Sequence, residues 1–210
     1  MGTASVTTTE GGDRYGALAG VVFVVLDVVV AVLGGEPLAV DAPMDEVVAH
    51  YTSRRSAIGV GLGLFGLASV ALLWWFGSLW PRLVRTEQGV PRLAIASLMG
   101  LVLAGALSPT AAAVGATLAL RVDALGASAV GLHALASGPL YTASGFGLAG
   151  HLLATSALGL QSPTEPRWLV ALGVLSAVGF LISGVLGSIT AASVPNAVGL
   201  GAFVLGCVWI

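Results

Sequence analysis

Asp27 is the residue whose type and setting most demand a chemical explanation. It sits in Val24-Val25-Leu26-Asp27-Val28-Val29-Val30, about 17 Å along a helix counted from Gly16 and so near the middle of a bilayer. A charged Asp at the centre of a membrane helix costs about 2.5–3.5 kcal/mol on insertion scales. No Arg or Lys lies within any apolar run of this chain. Asp27 is therefore expected to face other helices in its neutral form, hydrogen-bonded to a neighbouring one. Two roles fit that setting: a proton- or ion-coupled site, or a structural hydrogen bond to a Ser, a Thr or a backbone carbonyl.

His133 and His151 are the next candidates. On one long helix they would stand about 27 Å apart, too far to share a haem or a metal ion. The third histidine, His50, falls in a polar connection, so no cofactor and no metal is expected. Each His is expected to bond a backbone carbonyl or to sit near an interface. His151, Ser144 and Thr142 share a run rich in Gly, Ser and Thr, and with Asp27 they make up the candidate intramembrane polar site. By helical rise His151 lies about 10 Å further toward the inside than Asp27, so a direct pair needs tilt or offset of the spans.

Several arrangements are absent from the sequence. There is no HExxH, no GxSxG and no P-loop, and no apolar run holds two acids. The single Cys207 excludes an intrachain disulfide and CxxC chemistry. Nothing assembles a nucleophile with a base, and the chain is not expected to be an enzyme.

The elements that must position these residues follow from composition. Of 210 residues, 57% are hydrophobic and only 9% charged, and the mean hydropathy is +0.99. A soluble domain carries about 25% charged residues, so a soluble enzyme or binding module is excluded. A net charge of −2, with never more than two adjacent Arg, excludes nucleic acid as a partner. What remains is an all-α polytopic membrane protein whose first partner is the lipid bilayer. Most of its thirty glycines lie inside apolar runs, where they let helix backbones approach closely.

A span needs about 20 mainly apolar residues. Six fit: 15–34, 57–80, 92–118, 138–160, 167–189 and 195–210. Residues 1–14 read as a disordered tail and 15–210 as one transmembrane domain. Pro37, Pro43, Pro81, Pro91, Pro163, Pro166 and Pro195 fall between spans or in a first turn, where a missing N–H is harmless. Pro109 should kink the third span, and Gly138-Pro139 should separate a short helix over 124–136 from the fourth. The fourth span is a poor lipid face and should be the most buried. The sixth, at about 24 Å, is short for a core of about 30 Å. It either begins a turn earlier, near Ala191, or continues past Ile210 in the natural chain.

Between the first two spans, Met44, Val47, Val48 and Tyr51 follow at i, i+3, i+4, i+7, with Asp45, Glu46, His50 and Arg54 around the rest. This predicts a short amphipathic helix, lying on the outer surface or capping the bundle. Orientation follows the arginines. With the N-terminus in the cytoplasm, Arg14, Arg82, Arg85, Arg92 and Arg167 lie inside, and Arg54, Arg55 and Arg121 outside. Tyr15, Trp75, Trp80, Trp168 and Trp209 then gather toward the inner interface. Gly59, Gly63 and Gly66 form a GxxxG-type row and, with Gly147, are the candidate helix-packing glycines. Through such Gly-rich helices the chain could meet a second copy or another membrane protein.

The segment Pro37…Asp41-Ala42…Glu46…Tyr51…Arg54-Arg55, leading into Leu72-Leu73-Trp74-Trp75-Phe76, resembles a pattern in small actinobacterial multi-pass membrane proteins. The helix entry Pro166-Arg167-Trp168-Leu169 is similar too. The family is a domain of unknown function with about six helices, so the resemblance implies an architecture and supplies no activity. The resulting expectation is a bundle of about six spans with a short extracytoplasmic amphipathic helix, in the plasma membrane. Its expected role is that of a non-catalytic accessory or structural subunit. The alternative is a small transporter or channel-like protein using a protonatable Asp27.

Overall fold

A computed structural model describes residues 10–35, 38–189 and 194–209. All regular structure among them is helical. The elements are α1 (Glu10–Gly34), α2 (Met44–Ser53), α3 (Arg55–Thr86), α4 (Arg92–Leu125), α5 (Ser128–Leu135), α6 (Tyr141–Gln161), α7 (Arg167–Ile189) and α8 (Val194–Trp209). A π-helical turn over Ala136–Leu140 joins α5 to α6.

Five segments are long and apolar enough to cross a membrane: Arg14–Gly34, Arg55–Thr86, Arg92–Leu125, Ser128–Gln161 and Arg167–Gly187. The apolar part of the last helix, Ala197–Trp209, is shorter. Six spans were expected. The proposed start near Ala191, the boundary at Pro37 and the end at Ile210 lie outside the described residues.

Several boundaries move. The disordered tail was expected to reach residue 14, but helix begins at Glu10. Pro81 lies inside α3 and not beyond its end. With 32 residues, α3 is about 48 Å long and its ends leave the hydrocarbon, where water can satisfy a freed carbonyl. One continuous helix, α4, also runs through Pro109, and Thr110 Oγ1 bonds back to Ala106 O at 2.7 Å. The short helix expected over 124–136 is present as α5, Ser128–Leu135, set off from α4 by a break at Gly126, whose φ of +52° suits glycine. At Gly138-Pro139 the chain does not break. The wider π turn absorbs the missing N–H of Pro139, and the helix continues into α6.

Most close packing is between consecutive long helices: α1 on α3, α4 on α6, α6 on α7 and α7 on α8, with a lesser contact of α3 on α4. The fourth span is the most buried, as its composition implied: 56% of its most apolar stretch is buried, against 11% for α3. At one end, α2 packs Val47 and Tyr51 against Leu118, Val122 and Ala129. Met44, expected on that apolar stripe, is exposed instead.

Candidate functional site

On α1, Asp27 is buried, at 7% exposure. Its position follows from the register of the helices. Ala19 packs into the cluster around Trp75, and the Trp75 ring meets the His151 ring at 6.2 Å. Asp27 is eight residues beyond Ala19, so it stands about 12 Å further along the bundle than His151. That offset rules out a direct Asp27–His151 pair.

The expected hydrogen bond from Asp27 to a neighbouring helix is absent. Its carboxyl makes no hydrogen bond or ion pair with any described residue. Tyr141 at the start of α6 and Cys207 on α8 lie within its electrostatic reach. A cleft of about 140 Å³ lies between α1 and α8, lined by Gly20, Val21, Val24, Val25 and Cys207, and Asp27 is not part of its wall. Gly20 and Val24 precede Asp27 by seven and three residues, so the three share one helix face.

The other candidates do not converge on Asp27. His151 turns to α4, where its Nδ1 meets Ser97 Oγ at 2.9 Å and Ser97 O at 3.3 Å. Its ring is enclosed edge-on by Trp75, Phe76 and Trp209. Ser144 Oγ donates to Tyr141 O of its own helix at 2.8 Å. Thr142 is half-buried and bonds no described residue. The four polar candidates thus occupy three separate environments. Sequence reading missed Ser97, because its partner is 54 residues away and nothing local to an Ala/Leu/Ser run marks it.

Of the candidate packing glycines, Gly147 meets another helix: a Cβ there would lie 2.6 Å from Gly100 O. Gly59, Gly63 and Gly66 do not. A Cβ at each would have nothing within 4 Å, so no described helix of this chain rests on that row.

A second polar centre closes the α2 end. His133 Nε2 donates to Ala39 O at 2.8 Å, which leaves Nδ1 to accept from Tyr51 (3.1 Å) and Ser137 (3.2 Å). The expectation of a His on a backbone carbonyl is met here. Burial pushes the Tyr51 hydroxyl up to about 12. It also lowers His50, and the charge of Arg54 lowers it further. Arg54 reaches Gly34 O at the end of α1, while Arg55 donates to Ala119 O and pairs with Asp123 on α4.

At the opposite end, Glu87 caps α4. Its two carboxylate oxygens accept from Leu93 N at 2.7 Å and Ala94 N at 2.9 Å. Arg82 pairs with Glu165, tying the C-terminal end of α3 to the α6–α7 loop. Among the described residues, no three His, Cys, Asp or Glu side chains gather as a metal site would require. Compared with known proteins, the chain matches no protein-family model, no curated protein and no solved structure.

Proposed function

We propose that this chain is a multi-pass protein of the plasma membrane with about six spans, acting as a non-catalytic accessory or structural subunit. It belongs by this reading with the small actinobacterial membrane proteins it resembles. Its N-terminus is cytoplasmic, and α2 is an extracytoplasmic amphipathic helix. α8, at about 24 Å, is the sixth span, held along α7. The partner is another membrane protein or a second copy, docked on the glycine face of α3. The observation that carries this reading is the open row at Gly59, Gly63 and Gly66. Small residues at such spacing suit close backbone approach between membrane helices, and α3 is the least buried long helix.

The test is cross-linking in native membranes on a Cys207→Ser background. A cysteine at Gly63 should form an adduct of defined mass, and one at Val102, exposed on α4, should not. Gly63→Ile should lower the size of the native assembly. An unchanged assembly with no adduct at Gly59, Gly63 or Gly66 refutes the reading.

One observation favours a second reading, a small transporter or channel-like protein: a buried carboxyl on α1 that bonds no described residue. An acid inside a membrane domain is costly and is a functional-site hypothesis by default. In proteoliposomes, Asp27→Asn should then abolish proton or cation flux while leaving thermal melting unchanged.

A further inference from the structure

We propose that the open groove between α2 and α4 binds a linear aliphatic diamine, with one ammonium end on Asp45, the other on Asp123 and the methylenes laid between them. The groove measures about 710 Å³ and is walled by Met44, Asp45, Val48, Ala49 and Thr52 of α2 and by Asp123 of α4. Both carboxylates therefore belong to the wall itself. At 3.6 residues per turn the five α2 residues fall within an arc of about 140°, beside the buried stripe of Val47 and Tyr51. Met44 is 44% exposed and Val48 is half-buried. This face of α2 thus presents an apolar strip that its packing on α4 leaves uncovered.

The charges stand at the two ends of this strip. Asp45 to Thr52 spans about 10 Å of helix, and Asp123 belongs to the Thr52 end, because it pairs with Arg55 at 3.0 Å. That pair uses Oδ2 of Asp123 and leaves Oδ1 to accept. Asp45 makes no hydrogen bond or ion pair with any described residue. The basic side chains at this end are directed elsewhere. His50 lies on the far side of α2 and Arg121 on the far side of α4 from Asp123. Arg54 is turned to Gly34 O, and Arg55 is taken up by Ala119 O and Asp123.

The size and chemistry of the groove select the ligand. Its volume falls within the range of roughly 300–1,000 Å³ found for small-molecule sites. A metal ion would need several oxygen ligands around one point, and here two carboxylates and the Thr52 hydroxyl are spread along the wall. An amine with one charge leaves one carboxylate unmatched. A diamine matches both ends and lays its methylenes on Met44, Val48 and Ala49, each methylene taken out of water adding to the affinity. Neither Asp27 nor the α3 glycine face takes part, so the site stands or falls apart from both readings of function.

The whole protein in phosphatidylcholine nanodiscs is titrated calorimetrically with octane-1,8-diamine, with empty nanodiscs as the blank. One diamine should bind per chain with a Kd of about 1 mM or below, the range that a few exposed contacts provide. Its mono-acetylated derivative keeps the length, loses one charge and should bind about fivefold more weakly. Asp45→Asn should weaken the diamine by about the same factor and the derivative little, since one ammonium still has Asp123. Asp45→Glu should retain the parent affinity. Ala49→Trp, which fills the groove from an exposed position, should abolish binding, and all three variants should melt as the parent does. No saturable binding of the diamine overturns the proposal. So does equal affinity for the diamine and its derivative, or equal affinity of the parent and Asp45→Asn for the diamine. If Asp45→Asn fails to fold, the parent decides alone: a derivative bound as tightly as the diamine refutes the two-carboxylate site.

Discussion

Gly100 and Gly147 bring the backbones of α4 and α6 into direct contact. A Cβ on Gly100 would lie 2.5 Å from Gly147 O and 2.7 Å from His151 N. One on Gly147 would lie 2.6 Å from Gly100 O and 2.7 Å from Ala104 N. Ser97 and His151 flank this contact, one turn away on each helix, and their bond depends on the approach. The polar pair in the bundle is thus positioned by two residues without side chains.

Gly147→Ala should therefore destabilise the bundle by about 1–3 kcal/mol, the usual cost of forcing a methyl into a packed contact. Gly63→Ala, which meets open space, should be neutral or stabilise by roughly 0.5–1 kcal/mol through helix propensity. Unfolding of the purified protein in mixed micelles measures both. Equal destabilisation by the two would contradict the packing described.

Glu87 makes the first turn of α4 sensitive to acid. Desolvation raises its carboxyl, but the amides of Ala94, Leu93 and Arg92, with the Arg92 charge, outweigh that and hold it below the ordinary value of 4.5. A folded value below the unfolded one means that the cap is complete above pH 4.5 and is lost as pH falls through the folded value. Amide exchange at Leu93 and Ala94, corrected for intrinsic rate, should be flat above that pH and accelerate below it. Glu87→Gln should remove the pH dependence. Acceleration that persists in Glu87→Gln would assign it elsewhere.

The His133 centre should respond unequally to its two partners. Tyr51→Phe removes one donor, yet Ser137 remains on Nδ1, so the loss should be about 1 kcal/mol. His133→Ala leaves Tyr51 and the Ala39 carbonyl without their partner and should cost about 1–3 kcal/mol more. The Tyr51 hydroxyl is raised from 10.0 to about 12, so its contribution is complete below pH 10 and fades as pH rises toward 12. Melting in alkaline buffer should show that window in the parent and lose it in Tyr51→Phe.

Orientation is open to labelling. Single cysteines at Leu38 and Gln88 on a Cys207→Ser background should behave oppositely toward an impermeant maleimide applied to intact cells. Leu38 should react and Gln88 should not. The reverse pattern would invert the topology.

Helix and its burial order were legible in the sequence because they depend on composition and period. The Gly/Ser/Thr content of the Tyr141–Gly147 run was enough to mark the fourth span as the most enclosed. Helix ends were less legible. Pro81 and Pro139 were read as breaks, but a proline in a membrane helix gives up one hydrogen bond and not the helix. The partners were legible least. Asp27 was read as hydrogen-bonded, and His151 carried no sign of Ser97, because such pairings depend on rotation of one helix against another. The row at Gly59, Gly63 and Gly66 looked from spacing like an internal contact as readily as an external one. In the structure a Cβ at each of the three meets nothing within 4 Å.

The order of packing along the chain has a consequence for biogenesis. Most close contacts join a helix to one that precedes or follows it closely: α1 to α3, α4 to α6, α6 to α7, α7 to α8. α3, α6, α7 and α8 each follow a main packing partner in the chain. Assembly can keep pace with synthesis, since few distant segments must wait for one another. The α1–α3 pair is the first unit complete, and it already carries both Asp27 and the glycine row.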